Sequence, residues 1–109
     1  MPRGQAIALI CAIALLVPPA AARAEIAPAR VAKLENMVLQ DCGSCHGLTM
    51  KGGLGRPLTA AALSQAGAEG LAGIILDGIP GTAMPPWRPL LSEEEAIWIA
   101  EYLLKDRQR

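Results

Sequence analysis

Two cysteines separated by two small residues are followed at once by the only histidine of the chain, in Cys42-Gly43-Ser44-Cys45-His46. This is the sequence pattern of covalent haem attachment. Cysteines three apart on one helical turn can reach the two vinyl groups of one haem, and the next residue brings an imidazole under the iron. Gly43 and Ser44 are small enough to leave the ring unobstructed. Three other chemistries fit the motif less well. A structural zinc site needs four ligands, and no further cysteine or histidine follows residue 24. A thioredoxin-like redox pair expects a βαβ setting, and no β-alternation is visible. A disulfide would suit an oxidising compartment, but it closes a tiny loop of little stabilising value and leaves His46 without a purpose.

With His46 on one side of the iron, a second protein ligand on the other side would close the site and favour electron transfer. No second histidine exists, so the four methionines are the candidates. Met37 precedes the motif, Met50 is too near His46 to reach the opposite face, and Met1 belongs to the leader described below. Met84 is left, in Gly81-Thr82-Ala83-Met84-Pro85-Pro86-Trp87, where prolines stiffen the backbone and small residues allow close approach to the ring. The proximal imidazole also needs an acceptor for its other ring nitrogen, and the expected one is the backbone carbonyl of Pro57. Trp87 is expected either on the haem edge, donating to a propionate, or in the core.

The elements that position these residues read as helices. From Pro28, the spacing of Val31, Leu34, Met37 and Val38 predicts an amphipathic helix that delivers the chain to Cys42. Glycines 47, 52, 53 and 55 with Pro57 predict a loop. Thr59 is expected to cap a short Ala-rich helix ending near Gly67, and a further helix runs from Ala68 to a C-terminal glycine, Gly78. Prolines 80, 85, 86 and 89 predict an extended, helix-free segment. Ser92 then opens a capping box with Glu95, acids fill the first turn, and Ile97, Ala100, Leu103 and Leu104 form the expected buried stripe. Lys105, Arg107 and Arg109 suit the negative end of that helix.

The first 24 residues carry Arg3, an apolar run from Ala6 to Val17, and a small-residue site at Ala22-Arg23-Ala24, the three parts of a secretory signal peptide. The run is too short to span a bilayer, so removal is expected, taking Cys11 with it and leaving residues 25–109 as the mature, exported domain. Without Arg3 and Arg23 the balance becomes 8 basic against 10 acidic residues, a net charge of −2. Nucleic acid is then not an expected partner, and neither is a membrane. A chain this short, with two Trp, one Tyr and no Phe, needs an added stabilising element. A large flat apolar cofactor would fill that role.

The residues from Val31 to Leu104 resemble a class I monohaem cytochrome c. The resemblance rests on Cys42 to His46, on Gly55-Arg56-Pro57-Leu58, on Met84-Pro85 and on Ile99-Ala100-Glu101-Tyr102-Leu103. It implies an all-α fold wrapped on one covalent haem c, with first and last helices crossing, and a role in shuttling electrons. The first helix lacks the aromatic usual at that crossing. Residues 40–55 and 81–87 look like the NirC-type cytochromes, periplasmic proteins of denitrifying bacteria associated with the cytochrome-type nitrite reductase. That likeness implies either electron donation to the reductase or service in maturation of its haem d.

An electron carrier of this kind docks transiently on redox partners and is expected to be a monomer. Lys51, Arg56 and Arg88 flank the two haem ligands in sequence and are candidates for a basic docking rim; ordinary solvated charge is the alternative. A haem enzyme or gas-binding sensor would instead require a labile Met84, and the chain has no second histidine to serve on the distal side.

Overall fold

The computed structural model of the protein describes residues 25–106; the expected signal peptide, Arg107 and Arg109 lie outside these. Its helices are α1 (Pro28–Met37), a π-helical turn (Val38–Cys42), α2 (Gly43–His46), α3 (Ala68–Asp77) and α4 (Glu93–Leu104). No strand occurs among the described residues.

The chain from Pro28 to His46 is one run of helix. Pro28 sits in its first turn, where a missing N–H costs nothing, and the amides of Arg30 and Val31 both bond to Ala27 O, at 2.9 and 3.0 Å. Leu34 and Val38, four apart on one face, are fully buried. The widened turn at Val38–Cys42 then re-aims the residues that follow, as single π turns inside helices commonly do beside functional residues. Gly43 is thereby buried against Leu48 and Met50, whereas Cys45 is exposed. A side chain at Gly43 would press on Leu48 and Met50, so its small size serves this contact.

The expected helix after Thr59 does not form. Thr59 Oγ1 does accept from Ala62 N–H at 3.2 Å, and Leu63 N–H reaches Thr59 O at 3.0 Å, but residues 60–65 stay as turns. The stretch between Leu58 and Gly67 mixes one four-residue bond, Leu63 N–H to Thr59 O, with three-residue turns at Ser64 and Ala66 and does not settle into a helical ladder. It is held from outside instead, by burial of Leu63 and by Ala60 N–H donating to Asp106 Oδ1 at 2.7 Å.

Helix α4 packs along α3 and touches α1. Its capping box is formed: Glu95 N–H donates to Ser92 Oγ at 3.1 Å, and Ser92 N–H to Glu95 Oε1 at 2.9 Å. The buried face is set by Ala96, Ile99, Ala100, Tyr102 and Leu103, with Ile97 and Leu104 only half-buried. The stripe thus lies one residue back from the expected one. Ala96 has the helical spacing to join Ile99, Ala100 and Leu103, and small alanines on both helices, Ala72 and Ala96, are buried together in the core. Two of the three aromatics, Trp98 and Tyr102, stack on one another with centroids 5.0 Å apart.

At the α1–α4 crossing, where the family's aromatic is absent, the structure has an ion pair. Arg30 on α1 pairs with Glu95 on α4, and its Nη2 also donates to Leu90 O at 3.0 Å. Glu95 therefore caps its own helix and holds its neighbour. The Arg30 hydrogen bond, ahead of the opposing cost of burial, holds the Glu95 carboxyl below its ordinary value. A depressed carboxylate contributes stability that is present above the unfolded value near pH 4.3 and lost as pH falls through the folded one. Ser92→Ala is expected to lower the unfolding free energy by about 1 kcal/mol. Glu95→Gln is expected to lower stability at pH 7 and to flatten its fall in acid, both read by chemical denaturation across pH.

Candidate functional site

The Cys42–His46 segment ends the long helix, and the glycine-rich loop folds back beneath it. Gly55 N–H donates to Cys45 O at 2.7 Å, Gly52 N–H to His46 O at 2.8 Å, and Leu58 N–H to Met50 O at 2.8 Å. Those bonds bring the backbone of residues 52–58 against the His46 ring. His46 Nδ1 lies 2.7 Å from Arg56 O. A carbonyl can only accept, so Nδ1 carries the proton and Nε2 is the nitrogen with a lone pair to offer a metal.

The acceptor is thus Arg56, one residue before the Pro57 carbonyl expected from the sequence. A signal for this was present: proline biases the residue before it toward extended backbone, which makes residue 56 the one whose geometry Pro57 controls. Sequence reasoning also missed Gly55. A Cβ built there would lie 2.7 Å from both Cε1 and Nδ1 of His46, so the imidazole rests directly on glycine backbone.

Cys42 is half-buried and Cys45 exposed, and both are free thiols. Burial first, then the charge of Asp41, pushes the Cys42 thiol up to about 11, so it is protonated at neutral pH. Ser44 Oγ donates to Asp41 O at 2.7 Å and closes the turn between the cysteines. Met50 is fully buried in the core. Met84 is half-buried on the helix-free segment between α3 and α4, where its N–H donates to Thr82 Oγ1 at 3.3 Å. Trp87 is half-buried against the core; its N–H donates to Ile75 O and its carbonyl accepts from Leu90 and Leu91, so its backbone ties three parts of the chain.

Arg88, one of the three expected rim residues, is ion-paired. Its guanidinium is 2.8 Å from Asp77 and 3.7 Å from Glu93, one acid at the end of α3 and the other at the start of α4. Of the three expected rim residues, only Lys51 and Arg56 share the loop below His46.

The residues present suit a haem. Leu48 and Leu54, the latter 95% exposed, lie in the loop after His46, and Ile74, Ile79 and Leu90 lie on α3 and the Met84 segment. Large uncovered apolar side chains thus belong to the segments that carry or flank the two candidate iron ligands, where an apolar ring would cover them. Two free thiols three residues apart, followed by an imidazole of fixed tautomer, complete the donor set. Among the described residues no group of three or more His, Cys, Asp or Glu could hold a metal ion in its own right.

A helical shell folded on a Cys-x-x-Cys-His turn with an oriented imidazole defines a c-type cytochrome, an electron-transfer protein with iron in a covalently bound haem c. The profile of the family described as cytochrome c oxidase, cbb3-type, subunit III, matches residues 29–103, and the chain belongs to this family. It is 58% identical over 97 residues to cytochrome c55X of Paracoccus denitrificans (strain Pd 1222), across 89% of this chain and 87% of that one. To cytochrome c55X of Stutzerimonas stutzeri it is 47% identical over 91 residues, 84% of this chain and 80% of the other. Among solved structures, the c-type cytochrome NirC matches with a TM-score of 0.74 and 44% identity, over 76% of this chain and 98% of that chain. The all-α class I cytochrome c fold expected from the resemblance is the fold observed.

Gly55→Ala is expected to push the His46 ring off its seat, an overpacking cost of about 1–3 kcal/mol. The check is a fall in the denaturation midpoint together with a shifted haem reduction potential in the folded holoprotein.

Proposed function

We propose that this electron carrier works in the periplasm in denitrification, alongside the cytochrome-type nitrite reductase, either donating electrons to it or serving maturation of its haem d. Cys42 and Cys45 would attach the haem c, and His46 and Met84 would hold its iron. The observation that carries the site is the His46 Nδ1 to Arg56 O bond, which leaves Nε2 as the iron ligand beside both thiols. The haem would supply a one-electron couple, and a neutral thioether from Met84 would favour its reduced state. The protein's own part is to hold both ligands fixed and to keep water from the ring.

The denitrification role is supported by the likeness to the c-type cytochrome NirC over nearly that chain's whole length. The periplasmic location is supported by the signal-peptide pattern of residues 1–24. Lys51 and Arg56, on the loop that seats His46, suit transient docking by the monomer on an acidic surface of a redox partner.

Deleting the gene in its denitrifying host separates the two roles. A purified reductase that retains haem d but is reduced slowly, and is restored by adding the reduced cytochrome, supports donation. A reductase purified without haem d supports maturation. A reductase with full haem d and full activity in the deletion strain would contradict both.

A further inference from the structure

The segment that carries Met84 is fastened along the C-terminal end of α3. The last four carbonyls of a helix lack intrahelical partners. Here Ile74 O accepts from Gly78 N–H at 2.8 Å, and Ile75 O and Leu76 O accept from Trp87 and Arg88 N–H, both at 3.0 Å. Ile79 N–H donates to Met84 O at 3.2 Å. The Arg88 side chain adds its pair with Asp77. Residues 84–88 thus lie across the end of α3 as a strap.

Gly78 is where the strap comes closest. It has φ +65° and ψ −169°, a region closed to side chains of L residues. A Cβ there would stand 2.6 Å from Met84 O, 2.8 Å from Pro85 C and 2.9 Å from Pro86 N. All three are backbone atoms, and the two prolines stiffen that backbone, so none can swing aside as a flexible side chain would. Gly70 and Gly73, on α3 itself, have open space where a Cβ would go. The constraint belongs to position 78.

We propose that Gly78 is the positioning residue of the distal iron ligand: by admitting the Met84–Pro86 backbone to contact, it sets where the Met84 sulfur is delivered. The inference rests on Met84 being that ligand. Any side chain at 78 lifts the strap and lets an added ligand compete for the iron.

The experiment uses oxidised holoprotein and two readouts, the weak red charge-transfer band of methionine-ligated iron and the affinity for added imidazole. Gly78→Ala is expected to weaken the band and raise imidazole affinity roughly tenfold, in step with a strain of about 1.4 kcal/mol at that backbone geometry. Arg88→Gln, which loosens the same strap without adding an atom, is expected to raise it about threefold, the scale of an exposed ion pair. Gly70→Ala should change neither readout. Ile99→Ala, in the core of α4, should lower the melting temperature while leaving imidazole affinity alone. Folded Gly78→Ala protein with wild-type band and affinity overturns the inference, as does Ile99→Ala raising the affinity equally. If Gly78→Ala yields no folded holoprotein, Arg88→Gln decides: a raised affinity supports the strap and a wild-type one overturns it. Met84→Ala separates the two claims, since a band that survives it removes Met84 as ligand, whereas its loss alongside an unaltered Gly78→Ala removes only the role of Gly78.

Discussion

The bond from His46 Nδ1 to the carbonyl of Arg56 is the contact on which the rest of the site depends. It selects the tautomer, and the tautomer leaves Nε2 as the nitrogen able to take a metal. For that carbonyl to arrive, the loop must turn back sharply under the helix, and Gly55 must present bare backbone to the ring. Of the glycines after the cysteine motif, Gly55 is the one the ring itself demands, whereas Gly47 and Gly52 hold positive φ and Gly53 lies against the backbone of Cys45 and Gly47 where the loop turns back. The π turn before Cys42 serves the same end from the other side, because it decides which residues of the motif face the core.

A second constraint is scarcity of apolar mass. The buried core consists mainly of Leu, Ile, Val, Ala and Met, with Tyr102 its one buried aromatic among the described residues. Two structural devices offset this. Ala72 and Ala96 permit close packing of α3 and α4, and the Arg30–Glu95 pair joins α1 to the capping box of α4 where an aromatic would otherwise interlock them. A bound haem would supply further apolar surface, and Leu48, Leu54 and Leu90 stand uncovered in the polypeptide alone.

Much of this was legible in the residues. The cysteine motif, the helix from Pro28, the end of α3 at Gly78 and the Ser92–Glu95 box each rest on local chemistry, which sequence carries directly. What was not legible depends on partners distant in the chain. The displaced stripe of α4 reflects how closely α3 can approach, the unformed helix after Thr59 reflects the external hold of Asp106, and the fate of Arg88 is decided by Asp77 and Glu93. The acceptor for His46 was misplaced by one residue because the restraint that Pro57 imposes falls on Arg56. The bonds that tie residues 87 and 88 to α3 join two segments whose sequences carry no mark of each other.

The central proposal is that His46 and Met84 would close both faces of the iron, so that the chain carries electrons without binding a substrate. The most direct test is the optical spectrum of dithionite-reduced holoprotein before and after carbon monoxide is added. A sharp α-band that carbon monoxide leaves unchanged is the result expected. A shift of the wild-type spectrum would mean an open or labile iron, and would contradict the account in favour of a haem enzyme or gas sensor.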